Sequence, residues 1–382
     1  MSRLSLLDHF SALEDPRQVW KVAYPLAEVL LLVLCATLAG AEDFVEVVRW
    51  GRTKLVFLQR FLPYARGVPS HDTLCDVISA LDPALFKQAF TAWVDDLREG
   101  EPEIVAIDGK TSRRSHDRAR GRGPLHLVSA WASRQRLVLG QEATAEKSNE
   151  IEAIPLLLER LALKGALVTI DAMGATAKIA QAILDRGADY LLALKANQSH
   201  LFAEAEFYFR DATDTDTDRI ETVDADHGRI ETRRHSVSAN VEWLRADRGA
   251  PGEPRFPGLI TIAMVEAEVE TAGKTSVARR YFLSSAPLDA KTFARAVRDH
   301  WGVENNLHWV LDVVFHDDLA RLRTGHGPEN MAIVKHMALN LLNAAAKSDS
   351  LKTRRKRAGW DDDYLQAVVT RRAGPPSSDS PG

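Results

Sequence analysis

Cysteine is nearly absent: Cys35 and Cys75 are the only two in 382 residues, and neither has a neighbour at CxxC spacing. That excludes a disulfide framework and a thiolate zinc finger. Long apolar runs are also missing. The longest, Val29 to Ala41, is bracketed by Glu28 and by Glu42 and Asp43, and it is shorter than the roughly 20 residues a bilayer span needs. It reads as a buried core helix. It also lies too deep in the chain, behind charged residues and Pro25, to be a secretory signal, so the expected location is the reducing cytoplasm. Excess positive charge is lacking too, the net charge being −4, so nucleic-acid binding would have to rest on local patches of Lys and Arg.

Several signatures fail on their defining positions. Gly109-Lys110-Thr111 and Gly273-Lys274-Thr275 end like a P-loop, but the upstream glycine is replaced by Ile104 and Glu268. No nucleotide cofactor is expected. Asp214, Asp216 and Asp218 open like a calcium loop, yet Arg219 stands for its glycine and Ala225 for its closing acid, so the stretch reads as a solvated acidic loop. GxSxG, HExxH and GxGxxG are all absent.

What is present is a globular composition, 45% hydrophobic and 27% charged, with room for a real core. Residues 1–100 carry apolar positions at spacings of three and four, predicting a helical domain. Ser70 and Asp82-Pro83 mark helix starts there; a DNA-reading helix-turn-helix and plain helix packing both suit them. Residues 101–210 predict the order βββαβαβ: strands at Ile104 to Ile107, Leu125 to Ala132 and Arg136 to Gly140, a helix opened by Asn149 and Glu152, a buried strand Ala166 to Ile170, a helix Ala175 to Asp185, and a strand Tyr190 to Leu194. That is the first part of a mixed sheet. Residues 211–288 read as a β-rich insertion and 289–347 as helices, one of them continuous from Ala290 through Phe315. Residues 348–382 hold a basic segment and a Pro/Ser tail expected to be disordered.

The chemistry sits at the strand ends. Asp108 and Asp171 each close a buried apolar strand; if the two strands pair in parallel, both carboxylates emerge at one sheet edge. An acid after a strand is also a common turn residue. On the later helix, His300, Glu304, His308 and Asp312 recur every fourth residue beside the apolar face Val303, Leu307, Val310 and Val314. Two Asp and one Glu without thiolates suit hard divalent ions such as Mg2+, with Mn2+ as a substitute. A pair of such ions about 3.5–4 Å apart drives in-line phosphoryl displacement. Basic residues neighbour this set: Lys110, Arg113, Arg114, Arg118, Arg120 and Arg122 follow Asp108, and Lys352, Arg354, Arg355, Lys356 and Arg357 lie near the end. Both clusters are candidate grips on a phosphate backbone.

With those residues in hand, the chain resembles insertion-sequence DDE transposases of the H-repeat-associated group. The resemblance rests on Asp15-Pro16-Arg17, Tyr24-Pro25-Leu26, Pro69-Ser70-His71-Asp72-Thr73, Ala106-Ile107-Asp108-Gly109-Lys110, Lys147-Ser148-Asn149-Glu150, Thr169-Ile170-Asp171-Ala172-Met173-Gly174, Ala193-Leu194-Lys195-Ala196-Asn197-Gln198, and His300-Trp301-Gly302-Val303-Glu304-Asn305 with Leu307-His308-Trp309. These stretches run in order along nearly the whole chain.

The resemblance implies an RNase H-like α/β core with a β-rich insertion, and Asp108, Asp171 and Glu304 as catalytic, metal-holding acids. It implies two Mg2+ ions, binding to the terminal inverted repeats of a bacterial element and to target DNA, strand cleavage and strand transfer, and a homodimer on the DNA. One departure is clear. Related transposases surround the Glu with Tyr-x2-Arg-x3-Glu-x6-Lys, and counting from Glu304 those places hold Val297, His300 and Leu311. Arg298, His300 and His308 are the candidates to replace them as DNA contacts. Two other readings stay open: a structure-directed nuclease or resolvase on the same core, and a catalytically silent DNA-binding remnant.

Overall fold

The computed structural model describes residues 5–98, 100, 103–117, 121–144, 149–195, 198–213, 215–226, 229–244, 256–271, 274–345 and 349–370. The elements, in chain order, are α1 (Ser5–Ser11), α2 (Leu26–Leu38), α3 (Phe44–Thr53), α4 (Leu55–Leu58), α5 (His71–Ala80), α6 (Pro83–Leu97), β1 (Ile104–Ser112), β2 (Leu125–Ala132), β3 (Leu137–Thr144), α7 (Glu150–Arg160), β4 (Leu167–Ile170), α8 (Ala177–Asp185), β5 (Asp189–Leu194), α9 (Ser199–Asp211), β6 (Asp218–Asp226), β7 (Arg229–Ser238), β8 (Thr261–Thr271), β9 (Lys274–Ser284), α10 (Ala290–His300), α11 (Trp309–Val313), α12 (Gly327–Ala344), α13 (Leu351–Trp360) and α14 (Asp362–Val369). They form two compact units. One comprises Met1–Gly100, Gly109–Asn149 and Glu304–Gly382, the other Glu101–Asp108 and Glu150–Val303. The helical segment 1–100 thus shares a unit with the β2–β3 hairpin and the C-terminal helices.

In the first unit, the apolar run read from the sequence as a core helix is α2, buried along almost its whole length. Its one acid, Glu28, is buried as well, and accepts a hydrogen bond from the Tyr64 N–H at 2.7 Å, which meets part of the cost of taking a carboxylate from water. Asp82 caps α6 by accepting from the Ala84 N–H at 2.7 Å, with Pro83 in the first turn, where its missing N–H costs nothing. Helix α12 runs through the core. Its fully buried Asn330 donates to the carbonyls of Ile78 and Leu81, pinning the α5–α6 connection, and Asn340 exchanges two hydrogen bonds with the backbone of Val138 on β3. The apolar faces of α5 and α6 are used in this packing: Leu74, Val77, Phe86 and Phe90 are buried. Strands β2 and β3 pair antiparallel, and the turn between them ends on Arg136 in the left-handed region, at φ 56°. The strand order here is β3-β2-β1.

In the second unit, the order is β1-β4-β5-β9-β8-β7-β6. β1, β4 and β5 run parallel, as their near-continuous apolar sequence requires, and β5 through β6 alternate antiparallel. α10 lays Ala290, Phe293, Ala296 and Val297 on this sheet. Phe293 meets Phe282 edge to face at 5.2 Å, and burying such a ring stabilises by about 2–3 kcal/mol. The topology is the mixed RNase H-like sheet with an antiparallel insertion, preceded in the chain by helices.

Two expectations need correcting. The acidic stretch after α9 is not wholly a loop: from Asp218 onward it is β6, paired over its whole length with β7, and Asp218 accepts from the Ala290 N–H at 2.7 Å to start α10. Its charges hid the strand because both flanking faces are largely wet. The helix expected without a break from Ala290 to Phe315 ends at His300 and continues through a π-helical turn, Glu304–His308, into α11. The extra residue in that turn resets which side chains share a face, although Val303, Leu307, Val310 and Val314 are all buried. The Pro/Ser tail lies outside the described residues.

Candidate active site

Register brings the first two acids together. In the parallel pair, Ile107 lies opposite Ile170, so Asp108 and Asp171 stand at matching positions on neighbouring strands; Asp171 follows the last residue of β4, whereas Asp108 does not close its strand as expected, since β1 runs on to Ser112. Neighbouring strands are about 4.8 Å apart and equal positions share a face. The parallel pairing on which a shared sheet edge depends is present. Asp108 is half-buried. Asp171 is exposed, caps the short turn Ala172–Gly174 by accepting from the Ala172 N–H at 2.7 Å, and forms an ion pair with Lys195, whose Nζ stands 3.1 and 3.0 Å from its two carboxylate oxygens. Partial burial pushes this carboxyl up, but the Ala172 N–H and the Lys195 ammonium outweigh it and hold Asp171 below the usual carboxylate range.

Thr169, two residues earlier on the same face of β4, shares a 2.9 Å hydrogen bond with His300 Nδ1. This fixes an imidazole beside the Asp171 side of the strand. Arg298, one of the residues considered for DNA contact, forms an ion pair with Asp224 of β6.

Glu304 opens the π-helical turn and is half exposed at 53%, whereas His308, which closes it, is buried, with Nδ1 at 3.4 Å from the Glu304 carboxylate. A single π turn inside a helical run is frequent at functional sites, because the insertion re-aims a side chain. Glu304 and His308 thus offer a carboxylate and an imidazole side by side in the first unit, and Asp108 and Asp171 offer two carboxylates on adjacent strands in the second. Behind His308, a cavity of about 10 Å3 is lined by Lys110, Ser129, His308, Asp317, Lys335 and His336 among others, space for one water. Here Lys335 donates to Asp317 at 2.5 Å with both side chains buried. Burial pushes the Asp317 carboxyl up, but Lys335 more than reverses it. Burial drives His336 from 6.5 down to about 3.

The basic candidates separate sharply. Lys110 is not a free phosphate grip: it is mostly buried and bound to Asp312 at 2.6 Å. Arg113 keeps an exposed guanidinium, 81% accessible, 3.4 Å from Asp318. Arg114 is exposed and holds Arg323 through its carbonyl. Arg118 and Arg120 lie outside the described residues. Lys352 is exposed, but Arg354 and Arg355, expected as surface cations, are buried. Arg354 donates to the Leu342 carbonyl at 2.5 Å; Arg355 donates to the carbonyls of Thr37, Val314 and Ala41 and lies over the Phe315 ring. Helix-end carbonyls, rather than phosphate, take these charges. Lys195, by contrast, stands in the sequence only within the stretch Ala193-Leu194-Lys195-Ala196-Asn197-Gln198. The signal available for its role was a basic residue one position past a buried parallel strand.

Comparison with known proteins bears on this arrangement directly. Residues 99–341 match the family described as the transposase DDE domain, and residues 7–94 the family described as DDE_Tnp_1-associated. The chain is 37% identical over 381 residues to "H repeat-associated putative transposase YhhI" of Escherichia coli K12, covering 97% of this chain and 98% of that one. It is 40% identical over 376 residues to "Putative transposase YncI" of Escherichia coli O157:H7, covering 97% and 95%. Among solved structures, a piggyBac transposase synaptic complex with hairpin DNA aligns with a TM-score of 0.44 and 10% identity, over 97% of this chain and 82% of that one. Among the described residues, no helix is long and apolar enough to cross a membrane. The family match covers the whole span from before Asp108 to beyond Glu304: the chain belongs to the DDE transposases, in their H repeat-associated group.

Proposed function

We propose that the protein is the transposase of an insertion sequence, binding the terminal inverted repeats of its element, cutting the phosphodiester at each end and directing the freed 3′-hydroxyl at target DNA. The observation that carries this reading is the matched placement of Asp108 and Asp171 on adjacent parallel strands. An oxygen-rich, thiolate-free donor set fits a hard divalent ion, and the residues to hold it are Asp108, Glu304 and, once released from Lys195, Asp171. Bound there, Mg2+ would supply Lewis acidity at the phosphodiester and a more acidic attacking hydroxyl or water. Buried His308 would orient the Glu304 carboxylate, and His300, tied to Thr169, would donate to a phosphate oxygen. Arg113, Arg114 and Lys352 are the exposed cations left to steer the backbone. Two copies acting on two ends would form the working complex.

The test is cleavage of a labelled duplex carrying the flanking repeat, in Mg2+ and in Ca2+, by wild type and Glu304→Gln. Cutting at the repeat end by wild type in Mg2+ alone is the expected result. Equal cutting by Glu304→Gln, or equal cutting of random duplex, would sink the proposal.

A further inference from the structure

Lys195 leaves the sheet one residue past β5, whose Leu192 lies opposite Ile170 of β4. It therefore reaches the sheet end from which Asp171 emerges. Its ammonium sits symmetrically on the two Asp171 oxygens, at 3.1 and 3.0 Å. Yet the pair is wet, 63% exposed on the Lys side and 51% on the Asp side, and Lys195 makes no other ion pair among the described residues. Such a pair contributes little to holding a fold together and opens readily. Its position matters more than its strength, because a neighbouring strand brings a second carboxylate, Asp108, to the same edge.

We propose, resting on the transposase reading above, that Lys195 is an exchangeable counter-ion: it occupies Asp171 while no cation is bound, is displaced when a divalent ion takes that carboxylate, and then binds a phosphate oxygen of the DNA backbone. The physical logic is exchange between equivalent acceptors. An ammonium is a compact point charge on a flexible stem, and carboxylate and phosphate oxygens satisfy it alike. Loss of Asp171 to the ion leaves Lys195 next to the position where a phosphodiester would lie. Displacing it also costs the ion part of its binding energy, so the lysine should weaken cation binding and assist cleavage at once. A merely structural lysine would not move the two quantities in opposite directions.

The experiment uses the full chain without DNA and titrates Mn2+, following the free ion by electron paramagnetic resonance. Lys195→Met should bind Mn2+ roughly two- to five-fold more tightly than wild type, the range an exposed ion pair can impose. Lys164→Met, an exposed charge removal before the opposite end of β4, should leave affinity unchanged. Cleavage of the repeat end by Lys195→Met should fall about ten-fold, as expected for a lost charge-assisted contact. Unchanged or weaker Mn2+ binding by Lys195→Met, an equal gain in Lys164→Met, or undiminished cleavage overturns the counter-ion role. Asp171→Asn separates the two levels: wild-type Mn2+ affinity in that variant would remove Asp171 from the metal site and with it the underlying assignment.

Discussion

Two Asp–Lys pairs in this protein have the same chemistry and opposite settings. Asp317–Lys335 is sealed in the first unit, its side chains 12% and 9% exposed, with the ammonium at 2.5 Å. Asp171–Lys195, in the second unit, is mostly in water at 3.0 Å. In the sealed pair neither charge can leave without stranding the other in a low-dielectric interior, so it is permanent structure. In the wet pair, water and salt stand ready to replace either partner, so it is available for exchange. Burial, rather than residue type, decides which lysine is fixed and which is exchangeable.

Breaking the sealed pair should produce the largest effect. Lys335→Met leaves Asp317 buried without its ion-pair partner, with only the Ser112 hydrogen bond and the charge of Lys110 to offset burial, and should cost about 3–5 kcal/mol of stability, read from urea denaturation at neutral pH; a loss under 1 kcal/mol would mean Asp317 is not held as described. Next comes the acid of the π turn. Glu304→Gln should lower repeat-end cleavage at least about 100-fold, since changing even an outer partner of a metal ligand costs 10–100-fold, with the unfolding midpoint nearly unchanged.

A smaller effect belongs to His336, beside the sealed pair. Its folded pKa is depressed from 6.5 to about 3, so the unfolded chain binds the extra proton between those values. The stability it supports is present above pH 6.5 and is lost as pH falls toward 3. About 2 kcal/mol of that loss should appear between pH 6.5 and 5. His336→Leu should flatten this part of the stability profile, and an unchanged slope would assign the loss to other groups. The smallest change is expected in the wet pair, where Lys195→Met should shift stability by less than about 1 kcal/mol. A larger loss would make it a second sealed pair and erase the contrast.

Much of the core was readable because parallel strands buried on both faces leave long apolar runs, and Ile104 to Ile107 and Ala166 to Ile170 are such runs. The acids that end them, Asp108 and Asp171, stand out for the same reason. β6 was not readable, since most of its side chains are exposed and, among the described residues of the strand, Ile220 alone packs against the core, which leaves too little apolar alternation to see. The π turn was not readable either: Glu304 and His308 have ordinary helical spacing, and the insertion of a residue follows from how the flanking segments pack. Arg354 and Arg355 misled because a basic cluster looks the same whether its guanidiniums face phosphate or backbone carbonyls.

The amino-acid sequence determined which residues can carry the chemistry, the order of the elements that hold them, and the family to which they belong, because apolar periodicity and motif order are local properties of the chain. Which charges are spent inside the fold was decided only by tertiary structure. Lys110 on Asp312, Arg355 on three carbonyls and Lys335 on Asp317 are contacts between residues distant in sequence, and the free energy of a charge depends on the burial and partners that such contacts create.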